Sequence, residues 1–404
     1  RDARAFLGYM NDCVSRERKP MSESQRLDLL KALMDGVTLE EAWAAFRRNF
    51  DAEARLLLVT MPEKEDLAVP PDEELLAVAE EVEASAVEPL LAKERPDDLL
   101  EAEPTPGHVV EQEEYPDLKV LSVTLSNGVR AHLRSMDYKK DHVIVAITLA
   151  GGVIRETAMN RGITGVATLA FNRPAGGWLS STDIRDMMTG KNVALSGRAG
   201  RDLLVISIAG TPEDIEEGFR LAHLLLTQPR IEPPALKIWK ERRSQEIEER
   251  KTSVVAHRNE EVMALLSKND PRLEFLVQEQ VDRLTLEDGQ QWLEGIIRSA
   301  PMEVAVVGDI ERDRALALTL KYLGSLSRRP LADVALDGLR ELEQMPGPLV
   351  SAVEVETITP RAVLLVGWRG APWTAVKERR VLQIAAQILT TRLREEIREE
   401  LGLT

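Results

Sequence analysis

Apolar and polar residues alternate in five short stretches and then recur at helical spacing, and these changes of period set the expected elements. Strands are predicted at residues 118–124, 129–134, 143–149, 192–198 and 203–209. The last two lie only a short turn apart, which implies an antiparallel hairpin. Thr211-Pro212-Glu213-Asp214 reads as a helix start, with Thr at the N-cap and Pro at the first helical position. Ile215, Phe219, Ala222 and Leu226 then form one apolar stripe. A longer, charged helix is predicted from Pro233 to Lys268, and Asp309 is expected to cap a last helix ending near Leu323. Strands that alternate with helices yet pair as hairpins point to an α+β fold.

Part of this pattern occurs twice. Thr38-Leu39-Glu40-Glu41 predicts a capped helix running to about Phe50, and RLLLVT (55–60) predicts a buried strand after it. Thr285-Leu286-Glu287-Asp288 and MEVAVV (302–307) repeat the pair, each at the same offset of 247 residues. Capping boxes are common, but a shared offset is most simply an internal repeat. A further start follows at 349, where LVSAVEVETI and AVLLVGW precede a helix from about Thr374. The expected division is 1–61 as the end of one domain, 62–116 as a linker, 117–329 as a complete domain, 330–345 as a connector and 346–404 as the start of another.

Composition changes this picture in one place. The net charge is −16, yet residues 62–116 hold 18 Asp and Glu against three Lys and Arg, so the remainder is nearly neutral. That segment also carries eight prolines, a composition that suits an extended tether; an acidic recognition tail is the competing reading. DEELLAVAEEVEASAV (72–87) could form one helix within it. No basic patch argues for nucleic acid, and no apolar run is long enough to span a membrane. The single cysteine, Cys13, excludes an internal disulfide and a Cys-based zinc site, and reads as a small buried hydrophobe.

The order Leu125-Ser126-Asn127-Gly128, then the strand and glycine turn VIVAITLAGG (143–152), then GITGVATLAFN (162–172) resembles the pitrilysin/insulinase (inverzincin) family of zinc metallopeptidases. The resemblance runs over nearly the whole chain, carried by order and spacing. In that family the helix carries an inverted His-x-x-Glu-His metal motif. Matched position by position, Thr168 and Asn172 stand for the two His and Phe171 for the Glu. Phe can neither bind a metal nor move a proton, and Thr and Asn are poor zinc ligands.

The resemblance therefore implies repeated pitrilysin-like α/β-roll domains belonging to the non-catalytic, C-terminal half of a zinc peptidase. The chain reads as an internal piece of it, with no metal of its own and with zinc expected in an N-terminal half. Its implied partners are a peptide or unfolded polypeptide substrate and that catalytic half, or an active homologous subunit. The alternative is an inactive homologue serving as a binding or scaffold protein. The compartment stays open, a bacterial periplasmic or secreted setting being compatible with the family. The resemblance also makes Arg398, in IREELGLT, the residue that reaches toward substrate; an ordinary helix ion pair with Glu395 competes.

Other candidates have plainer readings. His257-Arg258-Asn259-Glu260-Glu261 lacks a second His and fits a solvated helix face. His108 falls in the expected tether, His132 and His142 flank a hairpin, and His223 follows the Phe219 stripe. Gly151-Gly152 and Gly176-Gly177 match no phosphate loop and read as turns, while Ser196-Gly197 is no nucleophile elbow.

Overall fold

The alternation in the sequence is realised as one seven-stranded mixed sheet with helices on one face. The computed structural model describes residues 3–50, 56–61, 68–86, 98–341, 343, 345–357, 362–368, 370–372 and 374–402. The chain divides into two units, Arg1–Ala92 and Lys93–Thr404.

The second unit holds the sheet: β1 Val109–Tyr115, β2 Val120–Leu125, β3 Arg130–Ser135, β4 Val143–Ala150, β5 Val193–Ala199, β6 Leu203–Gly210 and β7 Met302–Gly308. Their spatial order is β1-β2-β3-β7-β4-β6-β5. β7 pairs parallel with β3, and every other neighbouring pair is antiparallel. Register carries the apolar residues into continuous rows. Leu121 lies opposite Leu133, Leu133 opposite Val306, Val306 opposite Val145, Val145 opposite Ile208 and Ile208 opposite Leu195. A second row runs Val123, Ala131, Val304, Ile147, Ile206 and ends at Gly197. Helices Ile215–Thr227, Leu286–Ser299 and Arg312–Tyr322 bring Phe219, Leu293, Leu318 and Tyr322 into the same core. Each such side chain, fully buried, contributes about 1.5–3 kcal/mol before the entropy of ordering is set against it.

All five expected strands form within two residues of their predicted bounds. The structure departs from expectation elsewhere, each time for a local reason. The charged helix breaks into Pro233–Lys251 and Val254–Leu266, because the Ser253 hydroxyl accepts from the Ala256 N–H and opens a new helix. Asp309 does not cap the last helix, Arg312–Tyr322; its carboxylate accepts from the Asp141 N–H, across from the β4 side. Thr285 and Asp288 form the expected reciprocal capping box.

The acidic segment is not tether throughout. Its last residues form β1, paired with β2, and residues 98–107 are bound to two helices. Leu99 is buried in the main core, and the Gly107 N–H donates to the Leu320 carbonyl at 2.9 Å. Arg220 on helix Ile215–Thr227 donates to both Asp98 and Glu103. Lys321 lies 2.8 Å from Glu103, and the Tyr322 hydroxyl donates to Glu216 at 2.8 Å. Asp98 and Glu103 of this acidic stretch are thus matched by cations more than a hundred positions away.

In the first unit the described helices are Ala3–Ser15, Glu23–Met34, Leu39–Asn49 and Asp72–Ala84. Ser22 with Gln25, and Thr38 with Glu41, close capping boxes. Trp43, Phe46 and Phe50 stack along one helix face, with ring centroids 5.6 and 4.6 Å apart. Cys13 is the one buried residue among those described in this unit.

The strand expected at 55–60 is not formed by its described residues. Residues 56–60 lie outside any ladder, with Leu56 91% and Leu58 82% exposed, and Arg55 lies outside the described residues. The same holds for 349–357 and 362–368; residues 358–361 lie outside the described set. A strand's backbone groups need a neighbour, and no described strand lies beside these segments. The helix Val376–Leu393 does form, with its apolar Val381, Ile384 and Ile388 exposed.

The clamp on residues 98–107 gives a direct test. Arg220→Ala should lower stability by about 1–2 kcal/mol in urea denaturation and speed proteolysis within 98–107. Lys321, and with it Arg220, holds Glu103 below the usual carboxylate range against the opposing effect of its burial. A carboxylate with a lowered folded value stabilises fully above its unfolded value, so this contribution should be present at neutral pH. It should be lost as pH falls through the lowered folded value, and Arg220→Ala should flatten that acid limb of the stability curve.

Candidate functional site

The helix after the glycine turn is set up by a buried carboxylate. Glu156, only 4% exposed, accepts from the N–H groups of Gly162 (2.8 Å) and Thr164 (2.9 Å), which begin helix Ile163–Ala167. Gly162 takes a left-handed conformation there, with φ of 90°. Arg161 next to it is also buried; its guanidinium donates to the Glu274 carbonyl. Burial pushes Arg161 down from its ordinary value, against the pull of Glu156, Glu274 and Asp270. Nothing in the sequence marks Glu156 or Arg161 as partners of this turn, because their contacts are made by folding.

The chain continues through Thr168 into a second short helix, Leu169–Asn172. Each of the three motif positions has a structural occupation. The Thr168 hydroxyl donates back to the Gly165 carbonyl at 2.7 Å, within its own helix. Phe171 is 0% exposed and packs on Gly197, where an added Cβ would come within 2.7 Å of the Phe171 Cβ. Its ring covers the position in the second sheet row that has no side chain. Asn172 reaches the same residue through two bonds: its Nδ2 donates to the Gly197 carbonyl and the Gly197 N–H donates to its Oδ1, both at 2.9 Å.

Phe171 and Asn172 therefore converge on one backbone position, and Thr168 does not join them. These residues do not fit a zinc ion. Two of the three have their polar groups committed to backbone partners, the third is apolar, and no cluster of three or more His, Cys, Asp or Glu able to hold a metal occurs among the described residues.

The histidines are held by ordinary contacts. His257 pairs through Nε2 with the Lys251 carbonyl at 3.0 Å, while Glu260 lies 3.2 Å from Arg250 and Glu261 accepts from Ser351. Of that motif Glu260 also stays beside His257, 3.7 Å from its Nδ1, while Glu261 is turned to a different partner. His223 Nδ1 lies 2.7 Å from the Tyr322 carbonyl, and burial pushes its imidazole down. His132 lies 2.8 Å from the Ser122 hydroxyl on β2. His108 stands at the start of β1, its carbonyl accepting from the Ser126 N–H, which corrects its placement in a tether. Arg398 is exposed in the helical turn Arg394–Glu400 and makes no ion pair with a described residue, Glu395 included.

A cleft of about 480 Å³ lies beside the start of the motif helix, between Ile163, Leu284, Arg283 and Trp292. It contains no nucleophile paired with a base, and its acid, Asp288, is engaged in the helix cap with Thr285.

Residues 283–404 match the family model described as the peptidase M16 inactive domain. The chain is 26% identical over 218 residues to "Probable zinc protease PqqL" of Escherichia coli (strain K12), covering 52% of this chain and 23% of that protein. It is 36% identical over 58 residues to "Zinc protease PQQL-like" of Arabidopsis thaliana, covering 14% and 6%. Among solved structures, the ferredoxin protease FusC in complex with Arabidopsis ferredoxin matches with a TM-score of 0.54 and 20% identity, over 83% of this chain and 37% of that one. The periplasmic protease PqqL of Escherichia coli matches with a TM-score of 0.52 and 17% identity, over 82% and 36%. These two likenesses concern the fold, and the chain spans less than two fifths of each of these proteins. Residues 283–404 thus match the inactive domain of the M16 peptidases, and the chain is similar in sequence to zinc proteases and in fold to the two proteases above.

Proposed function

We propose that this chain is the non-catalytic, substrate-enclosing half of a zinc-dependent peptidase. The observation that carries this reading is the state of the segment 163–172, where Thr168, Phe171 and Asn172 serve packing and backbone bonding and offer no metal-binding set. A chain built this way can shape a chamber but cannot activate water. The zinc motif would then lie in a catalytic half, in the same protein or on a partner subunit. This half would help exclude water and orient a peptide or unfolded polypeptide, which is where a wall without chemistry still lowers a barrier. That the Escherichia coli relative is named a probable zinc protease supports peptide-bond hydrolysis as the reaction of the whole. The related periplasmic structure supports a periplasmic setting, and no described helix is long and apolar enough to cross a membrane.

Metal analysis of the purified chain should find no stoichiometric zinc. Restoring Thr168→His, Phe171→Glu and Asn172→His together should lower stability by more than about 3 kcal/mol in denaturant unfolding, because a fully buried ring gives way to a carboxylate and the Gly197 bonds are lost. One zinc per restored chain at unchanged stability would show instead that the site had kept its geometry. Zinc in the unaltered chain that disappears with His257→Ala would move the site to that helix.

Arg398 separates an enclosing wall that touches substrate from a scaffold that does not. In the intact peptidase, Arg398→Ala should lower kcat/KM by about 10- to 100-fold, the range of a lost charge-assisted hydrogen bond in the transition state. The melting temperature should hardly change, since an exposed residue of this kind contributes only a few tenths of a kcal/mol. Unchanged kinetics would leave the chain with the scaffold role alone.

A further inference from the structure

Outer strands of a sheet present unpaired N–H and C=O groups to any extended chain, and β5 is one of the two outer strands here. On its inner side the even-numbered positions carry the ladder to β6. Gly200 donates to the Leu203 carbonyl and Thr211 to the Asn192 carbonyl, and the register places Ser196 opposite Ser207. The alternation of an antiparallel ladder then turns the backbone groups of Val193, Leu195, Gly197 and Ala199 outward. The strand, VALSGRA, contains no proline and a single charge, Arg198, so its composition gives little protection against pairing.

Gly197 is one of the two inner positions of those four, and it is the one Asn172 occupies. A carboxamide offers a donor and an acceptor at about the spacing of a peptide group. With both bonds at 2.9 Å, Asn172 supplies Gly197 with what a neighbouring strand would supply. Phe171 holds the arrangement in place, since it is fully buried against the Cα of the same glycine. We infer that Asn172 is an edge guard: its side chain caps β5 at Gly197 and closes this edge of the sheet to pairing with an extended polypeptide, a second copy of β5 included. An incoming strand would have to displace both bonds or break its ladder at the middle of the edge.

Asn172→Ala in the purified chain tests this. The Gly197 amide should exchange with solvent about tenfold faster or more, the equivalent of one lost hydrogen bond. Sedimentation velocity should show concentration-dependent self-association that the unaltered chain lacks. Adding Leu195→Pro, which removes an outward N–H at a place where an outer strand tolerates proline, should abolish that association. Unchanged exchange at Gly197 in Asn172→Ala would overturn the proposal, as would a variant that stays as monodisperse as the parent. Association that persists with Leu195→Pro would also overturn it, by showing that exposed apolar surface and not the strand edge is responsible. The exchange measurement rests on the single variant, so it decides the question even where the double variant fails to fold.

Discussion

The second unit depends on β7 entering between β3 and β4. Met302–Gly308 pairs with Arg130–Ser135 on one side and with Val143–Ala150 on the other, so it joins the two halves of the sheet. Strands adjacent in sequence could form β1-β2-β3 and β4-β6-β5 separately, but two small ribbons have no common face to bury. Once β7 is in place, the rows through Val306 and Val304 become continuous and the helices gain one surface to cover. Loop closure over more than 150 residues is costly, and only the burial on both sides of this strand offsets it. Residues 56–60 make the same point in reverse. They carry a β7-like apolar run at the repeat offset but have no described strand on either side, and they adopt no regular structure.

The same completed row fixes the chemistry of the motif helix. Because the row through Val304 ends at a glycine on the outer strand, something other than a sheet side chain must fill the space beneath it. Phe171 does so, and a larger residue at 197 would collide with it. The requirement is steric and apolar. An ionisable group at position 171 would sit where water is excluded, at a cost of several kcal/mol unless a cation or a metal were present to stabilise it. Without such a partner the aromatic ring is the more stable occupant, and the Asn172 carboxamide satisfies the backbone groups that lie beside it.

Much of the fold was legible in the sequence where burial has one face. β2, β4, β6 and β7 alternate buried with more exposed positions, so period two shows through. β1 was not legible, because VVEQEEY buries almost nothing and is a strand only through its bonds to β2. Residues 98–107 escaped for a related reason: their acids are partnered by Arg220 and Lys321, and such pairing leaves no periodic trace. The apolar run at 56–60 misled in the opposite direction, since β-propensity describes a side chain suited to a sheet and cannot supply the sheet. At the candidate site the resemblance singled out Thr168, Phe171 and Asn172. That two of them meet at Gly197 depends on tertiary placement, as does the brace from Glu156.

Helix Ile163–Ala167 and its continuation to Asn172 supply Ile163, Val166, Ala167, Ala170 and Phe171 to the core, and the sheet would be uncovered without them. Chemistry adds a demand that packing does not make, since polar groups must be held bare and aimed at a ligand. When that demand is removed, each polar position is free to satisfy itself locally. Thr168 turning back to Gly165, Asn172 bonding Gly197 and Phe171 filling the row are three such satisfactions. This helix is therefore better satisfied than one whose polar groups were held bare for a metal would be without it, and its packing keeps the sheet covered whatever chemistry is or is not done there.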